Sequence, residues 1–144
     1  MMPLLNYTTK IDVEKTVGEI QKMLGLHGAR AIMTEYDDEG IITSLSFRIR
    51  VGEQEPSFRL PCDWRPVLVV MENDRKVPRS SCNQIQAVRV AWRIVKDWVE
   101  AQMAFIDSRQ VRTEQVFLSY AVMKDGQTMF DHIAKKQFLL GDGK

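Results

Sequence analysis

The chain has few cysteines and histidines, the residue types that most often bind zinc. It contains two cysteines, Cys62 and Cys82, and two histidines, His27 and His132. Two cysteines are too few for a disulfide scaffold, and the four side chains are scattered singly, whereas zinc ligands usually arrive in close pairs. The sequence therefore predicts no metal site, no cofactor and the reduced interior of a cytoplasm.

The motifs of common enzymes are also missing. There is no glycine-rich phosphate loop, no dinucleotide-binding glycine pattern, no paired-histidine zinc motif and no serine nucleophile elbow. An acidic run of Glu35, Asp37, Asp38 and Glu39 lacks the alternating oxygen ligands of a calcium loop, and we interpret it as a solvated hairpin turn. The sequence predicts a non-enzymatic protein with no catalytic residues.

Long apolar runs and a strong charge imbalance are absent too. No stretch approaches the roughly eighteen uninterrupted apolar residues of a membrane span, and no repeat or long linker divides the chain. With 20 Lys and Arg against 19 Asp and Glu, the net charge is +1. We therefore expect one cytoplasmic domain over residues 1–144 with no membrane partner, and any nucleic-acid contact would require a local basic patch.

Apolar spacing predicts the first half of the fold. A first helix carries Val13, Val17, Ile20 and Leu24 at helical spacing. Alternation of apolar and polar residues then predicts three antiparallel strands, after which Pro66 begins a short helix. The predicted strands cover residues 29–36, residues 41–51 and a short segment with Phe58 and Leu60, and the short helix covers residues 66–73.

Residues 83–107 predict a long helix that is buried on most sides. Apolar side chains form two adjoining stripes and leave one narrow polar ribbon. An apolar arc this wide needs a sheet on one side and helices or a second subunit on the other. The stripes contain Ile85, Val88, Trp92, Val95, Val99 and Ile106, then Ala91, Ile94, Trp98, Ala101 and Phe105, and the ribbon contains Gln86, Arg89, Arg93, Lys96 and Glu100.

The C-terminal residues fit more than one secondary structure. Residues 115–123 fit either a strand or a buried apolar segment. Thr128 is expected to cap a last helix that ends at about Lys136, and the apolar residues Phe138, Leu139 and Leu140 are expected to pack the tail against the domain. The predicted fold class is α+β, with a three-stranded antiparallel sheet packed by an N-terminal helix and a long central helix, and with C-terminal closing segments.

Positive charge is concentrated between residues 75 and 96, where six basic residues occur without any Asp or Glu. Arginines beside the amides of a helix start can hold phosphate, so the segment predicts nucleic-acid binding. The alternative is that the ribbon is only the solvated side of a buried helix, with basic stems covering apolar surface. The six residues are Arg75, Lys76, Arg79, Arg89, Arg93 and Lys96.

Three further arginines are expected on the exposed face of the sheet. Arg48, Arg50 and Arg59 alternate with inward apolar residues, so they extend the predicted positive patch. The order of one helix, three strands and a later helix resembles that of double-stranded RNA-binding domains. The basic start expected for the second helix of those domains is not reproduced, however, and an extra short helix intervenes.

The two tryptophans of the long helix suggest a different function. Trp92 and Trp98 are six positions apart and are not expected to face the same core wall, so one of them is a candidate for a subunit or partner contact. This alternative describes a protein-binding inhibitor or assembly factor, which acts through exposed helix surface and forms a homodimer.

Several segments resemble small proteins carried by bacterial phages, prophages and integrative elements. They are NYTTKIDVEKTVGEIQKML, HGARAIMTEYDDEGIITSLSFRI, FRLP and QAVRVAWRIVKDWVEAQMAFID, which cover most of the chain. The resemblance implies a bacterial cytoplasm and transfers no functional residue. It favours an accessory role in phage replication or recombination, in contact with nucleic acid or a nucleoprotein complex. The alternative is inhibition of a host defence complex such as a CRISPR effector, which makes a host protein the partner.

Overall fold

A computed structural model describes residues 6–136 of the chain. It shows an α+β fold in which two helices pack on one face of a three-stranded antiparallel sheet, as the sequence predicts. The elements are α1 (Val13–Leu26), β1 (Ala29–Tyr36), β2 (Ile42–Ile49), β3 (Ser57–Pro61), α2 (Trp64–Asn73), α3 (Gln84–Asp107), α4 (Thr113–Phe117) and α5 (Met129–Lys135).

The sheet has the order β1-β2-β3, and its two faces differ sharply. Phe47 lies opposite Ile32 on one side and Phe58 on the other, and this row belongs to the core. Ser46 lies opposite Met33 and Arg59 on the other face of the sheet. Because side chains alternate along a strand, the register fixes which residues each face presents.

Helix α1 forms where the apolar spacing predicts it. Val17, Ile20 and Leu24 are buried against the sheet and α3. Asp12 lies at the N-cap position, but its side chain caps no backbone amide. Gly28, with a φ of 97°, lets the chain reverse from the helix into β1, because glycine adopts this left-handed conformation without a steric penalty.

Helix α3 is the centre of the core. The side chain of Asn83 caps its first turn by accepting a hydrogen bond from the amide of Gln86 at 2.9 Å. Trp92 is fully buried, and its indole N–H donates to the carbonyl of Ile42 at 3.2 Å. The prediction that both apolar stripes are buried is wrong for Ile85, Ala101 and Phe105, which are exposed.

The C-terminal segments close the core beside β3. Residues 115–123, which are predicted as either a strand or a buried apolar segment, contain the end of α4, a 3-10 turn at Leu118–Tyr120 and two isolated bridge residues, and several of them pack on the core. Phe117 is buried against Phe47. The hydroxyl of Thr128 caps α5 as predicted, and the tail residues Phe138, Leu139 and Leu140 lie outside the described range.

Candidate functional site

The polar ribbon of α3 faces α1 rather than solvent. Arg93 donates to a carboxylate oxygen of Glu19 at 3.0 Å, and the Nζ of Lys96 lies 2.8 Å from Glu100 and 4.0 Å from Glu19. The side chains of Arg93 and Lys96 are only 13% and 15% exposed. The prediction that this ribbon is open to water or phosphate is therefore wrong for these two residues.

Arg89 lies at the exposed end of the same ribbon. Its guanidinium donates to Asp12 at 3.2 Å, and its side chain is half-buried. Asp12 and Glu19 are seven residues apart on α1, as are Arg89 and Lys96 on α3. Two turns of helix separate the members of each pair, so opposite charges meet along the helix contact. The equal seven-residue spacing of the two acidic and the two basic residues is the feature of the sequence that indicates contact between α1 and α3.

The three arginines predicted on the sheet contact nearby acceptors, although Arg50 lies just beyond the end of β2 and not in the sheet. Arg48 pairs with Glu55 at 3.2 Å, and Arg50 donates to the carbonyl of Gly52 at 3.0 Å. Arg59 donates to the carbonyl of Gly126 at 2.8 Å. Arg59 also lines a cleft with Phe130 and Asp131 of α5, so this side of β3 is partly bordered by the C-terminal helix.

The loop between α2 and α3 holds the remaining cations of the predicted patch. Arg75, Lys76 and Arg79 are all exposed. Within residues 6–136, none of the three forms an ion pair. The nine basic residues selected from the sequence therefore do not form one continuous surface, and this cationic loop is the part of the set that stays available to a phosphate.

The two tryptophans of α3 that are predicted as partner contacts differ in burial. Trp92 is completely buried, so it contacts no partner while the chain is folded. Trp98 packs edge-on against Phe117 and Tyr120, with ring centroids 5.6 and 5.8 Å apart. Trp98 is half-buried beside α4 and the following turn, so for this residue the contact with a second chain stays a prediction.

The cysteines and histidines are dispersed. Cys62 is buried, and burial raises the pKa of its thiol to about 12, which keeps it protonated and unreactive. His27 and His132 pair with Asp107 and Asp125 respectively. No group of three or more metal-binding side chains occurs in the part of the chain that the structure describes. In that same part, every helix is too short or too polar to cross a bilayer.

A cleft of about 330 Å³ lies where the first turns of α1 and α3 meet the turn between β1 and β2. Its apolar lining includes Ile41, Val88 and Ile85, and Ile85 is 68% exposed. Asp12, Glu14 and Glu39 line it as well, with Arg89 the cation among its lining residues. This geometry combines apolar contact area with a negative rim.

The turn that borders this cleft is held in place by its own acidic side chain. Asp37 accepts hydrogen bonds from the amides of Glu39 and Ile41 at 2.9 and 3.0 Å. We call the surface formed by the cleft and this turn the acidic end. Its carboxylates are those of Asp12, Glu14, Asp37, Asp38 and Glu39.

The sequence does not reveal this surface because its parts are far apart in the chain. The acidic run alone fits a solvated turn, and the apolar spacing of the long helix places Ile85 in the core. The available signal was the absence of cations at the start of α3, which reads Asn83-Gln84-Ile85-Gln86. A duplex phosphate backbone is repelled by such a surface, so the resemblance in element order to double-stranded RNA-binding domains does not extend to their charge.

The fold and surfaces together define a small α+β protein with an acidic, partly apolar end and an exposed cationic loop. No protein family, curated protein or solved structure significantly matches this chain. The two surfaces are therefore the basis for any functional assignment.

Proposed function

We propose that this is a non-enzymatic binding protein whose acidic end engages a basic surface of a partner protein. The observation that supports the proposal best is the cleft at Ile41 and Ile85 with carboxylates around it. Apolar anchors surrounded by charged groups are the usual composition of a protein contact, in which the apolar residues supply affinity and the charges supply steering and specificity.

The positive side chains of the partner would meet Glu14, Asp38 and Glu39, while an apolar side chain enters the cleft beside Ile85. Proteins that hold nucleic acid have positively charged grooves, which are basic surfaces that the acidic end could engage. Such a groove can be occupied by a protein that presents carboxylates where phosphates would otherwise lie. A host defence nucleoprotein complex is the partner that best fits the resemblance to mobile-element proteins.

The test is capture from a nuclease-treated bacterial lysate with three immobilised proteins. They are the unaltered chain, a variant with Glu14→Lys, Asp38→Lys and Glu39→Lys, and a control with Glu53→Lys and Glu72→Lys, which changes exposed carboxylates outside the acidic end. We expect nucleic-acid-binding proteins to be captured by the unaltered chain and the control, to be lost with the triple variant, and to be displaced by heparin. Capture that survives reversal of the acidic end refutes the proposal.

A second function is favoured by the cationic loop. Arg75, Lys76 and Arg79 are exposed and lead toward the first turn of α3, so they can contact phosphates of a nucleic acid directly. Three phosphate contacts would give a slope of log affinity against log salt of about −2.7 on duplex DNA. Arg89, Arg93 and Lys96 would add little, because carboxylates already neutralise them.

Fluorescence anisotropy with labelled duplex and single strands tests this second function. Binding should be detectable at about 50 mM salt, weaken steeply above it, and disappear in a variant with Arg75→Glu, Lys76→Glu and Arg79→Glu. A matched control reverses Arg109 and Arg112, which are also exposed but lie after α3. The function is excluded by absence of binding at low salt, or by equal loss in both variants.

A further inference from the structure

The cationic loop and the acidic end lie on opposite sides of the start of α3. Val77 of the loop belongs to the same buried cluster as Ala87 and Val90, whereas Val88 and Arg89 line the cleft of the acidic end. With about 3.6 residues per turn, these two pairs of helix positions point in opposite directions. Helix α3 therefore separates the two surfaces within one chain, and no ion pair joins them in the part that the structure describes.

The unpaired charges of the two surfaces are opposite in sign. Among the described residues, the carboxylates of Glu14, Asp38 and Glu39 form no ion pair, and neither do the three cations of the loop. The loop also contains one carboxylate, Asp74, so three cations and one anion give residues 74–83 a net charge of +2. Opposite charges on two surfaces attract them to each other and orient the contact.

The apolar parts of the two surfaces are also complementary. Pro78 is exposed in the loop, with Lys76 and Arg79 close to it in the sequence. Ile85, which is 68% exposed, lines the cleft of about 330 Å³ together with Glu14. Each surface thus offers an apolar contact with charges of one sign beside it, and this is the composition that a protein contact requires.

The loop is held in shape by its own hydrogen bonds. The side chain of Asp74 accepts from the amide of Lys76 at 2.9 Å, and the carbonyl of Asp74 accepts from the amide of Val77 at 3.1 Å. The turn of the acidic end is held by the side chain of Asp37 in the same way. Two surfaces that are already ordered lose little conformational freedom when they meet, which favours association.

We infer that the cationic loop of one copy of this chain docks on the acidic end of a second copy. The cations of the loop face the three unpaired carboxylates of the second copy, and Pro78 enters the cleft beside Ile85. Because the two surfaces of each copy lie on opposite sides of α3, one contact leaves a further surface open on each copy, and association extends past two copies. The inference rests on the proposed role of the acidic end as a protein contact.

Sedimentation equilibrium between about 10 µM and about 1 mM protein, at about 50 mM salt, tests the association. We expect a dissociation constant on the order of 100 µM, because the matched charges are exposed to solvent. The average mass should rise from 16.6 kDa to more than twice that value, and it should fall back toward 16.6 kDa at about 0.5 M salt. A chain that stays monomeric at about 1 mM in low salt overturns the inference.

Two variants without charge at one surface identify the residues that meet. One carries Glu14→Gln, Asp38→Asn and Glu39→Gln, and the other carries Arg75→Gln, Lys76→Gln and Arg79→Gln. Each variant alone lacks one of the two surfaces, so its dissociation constant should rise about tenfold or more. Mixed in equal amounts, the variants retain one matched pair of surfaces. The mixture should therefore associate within about threefold of the wild-type dissociation constant and stop at two copies.

A variant with all six substitutions is the control for the mixture, because it has neither surface and should stay monomeric with either of the other two. A second control, with Glu53→Gln and Arg109→Gln, changes exposed charges outside both surfaces and should associate like the wild type. Circular dichroism and the fluorescence of buried Trp92 establish that each protein is folded. A mixture of folded variants that does not associate, or loss of association in the second control, overturns the inference.

The same proteins separate this inference from the proposed function. Capture of basic proteins from a lysate needs the acidic end but not the loop, so the loop variant should capture them as the wild type does. A wild-type chain that captures such proteins and yet stays monomeric overturns the inference alone. Self-association without capture from the lysate instead contradicts the proposed function and leaves the inference standing.

Discussion

Replacing Asp107 with asparagine should remove a pH-dependent part of the stability, because this carboxylate favours the charged form of His27. The imidazole Nδ1 of His27 lies 2.7 Å from the carbonyl of Met23, and Nε2 lies 3.0 Å from both carboxylate oxygens of Asp107. Both ring nitrogens therefore face acceptors. Only the imidazolium can donate from both, whereas either neutral tautomer loses one of the two bonds.

The hydrogen bond to Asp107 is the largest cause that raises the pKa of His27 above its usual value, and partial burial opposes it. A histidine whose pKa is raised by folding is charged in both the folded and the unfolded state at pH values below its unfolded-state pKa. Its full contribution to stability is therefore present in that pH range. The stabilisation is lost as the pH rises through the folded-state pKa. Since the side chain of Asp107 is 64% exposed, solvent screens the pair, and we expect a contribution of about 1 kcal/mol.

Urea unfolding between about pH 5.5 and 8.5 measures this effect. As the pH rises across this range, the unfolding free energy of the unaltered chain should fall by about 1 kcal/mol more than that of Asp107→Asn. This difference corresponds to roughly 3 °C in melting temperature. His132→Gln serves as the control, because the other histidine pairs with Asp125 in a separate part of the fold. Parallel pH profiles for the unaltered chain and Asp107→Asn would refute the reasoning.

A substitution and a chemical treatment test the core. Trp92→Phe should lower the unfolding free energy by about 2 kcal/mol in urea unfolding, because it leaves a cavity and removes the donor to the carbonyl of Ile42. Trp98→Phe, at the half-buried aromatic cluster, should lower the unfolding free energy less. A thiol reagent near pH 8 should label Cys82 well before Cys62 in the folded protein, because Cys62 is buried and burial raises its pKa to about 12. Equal labelling rates for the two cysteines would contradict the prediction.

The parts of the fold that local pattern determines could be predicted well. The residues of β1 match the predicted range, and α3 begins one residue after the predicted start because Asn83 is the cap. The short helix α2 begins at Trp64, ahead of the predicted Pro66, because Asp63 caps it. Spacing, caps and glycine turns are local properties, so the sequence alone contains them.

The arrangement of surfaces could not be predicted in the same way. Whether Arg93 faces water or Glu19 depends on which helix packs beside α3, and the two residues are 74 positions apart. The acidic end likewise depends on the meeting of two helix starts with a strand turn. Periodicity identifies the polar side of a helix, but it carries no information about the neighbour that this side meets.

The contact between α1 and α3 has a consequence for the order in which the chain acquires its structure. The side-chain amide of Gln86 donates to the carbonyls of Tyr7 and Thr9, which precede it by 79 and 77 residues. During synthesis, Val17, Ile20 and Leu24 emerge long before the tryptophan-bearing helix that shields them. Until then the apolar side of α1 has no partner in the nascent chain. Because contacts between distant residues require closure of a long loop, we expect them to form more slowly than α1 itself.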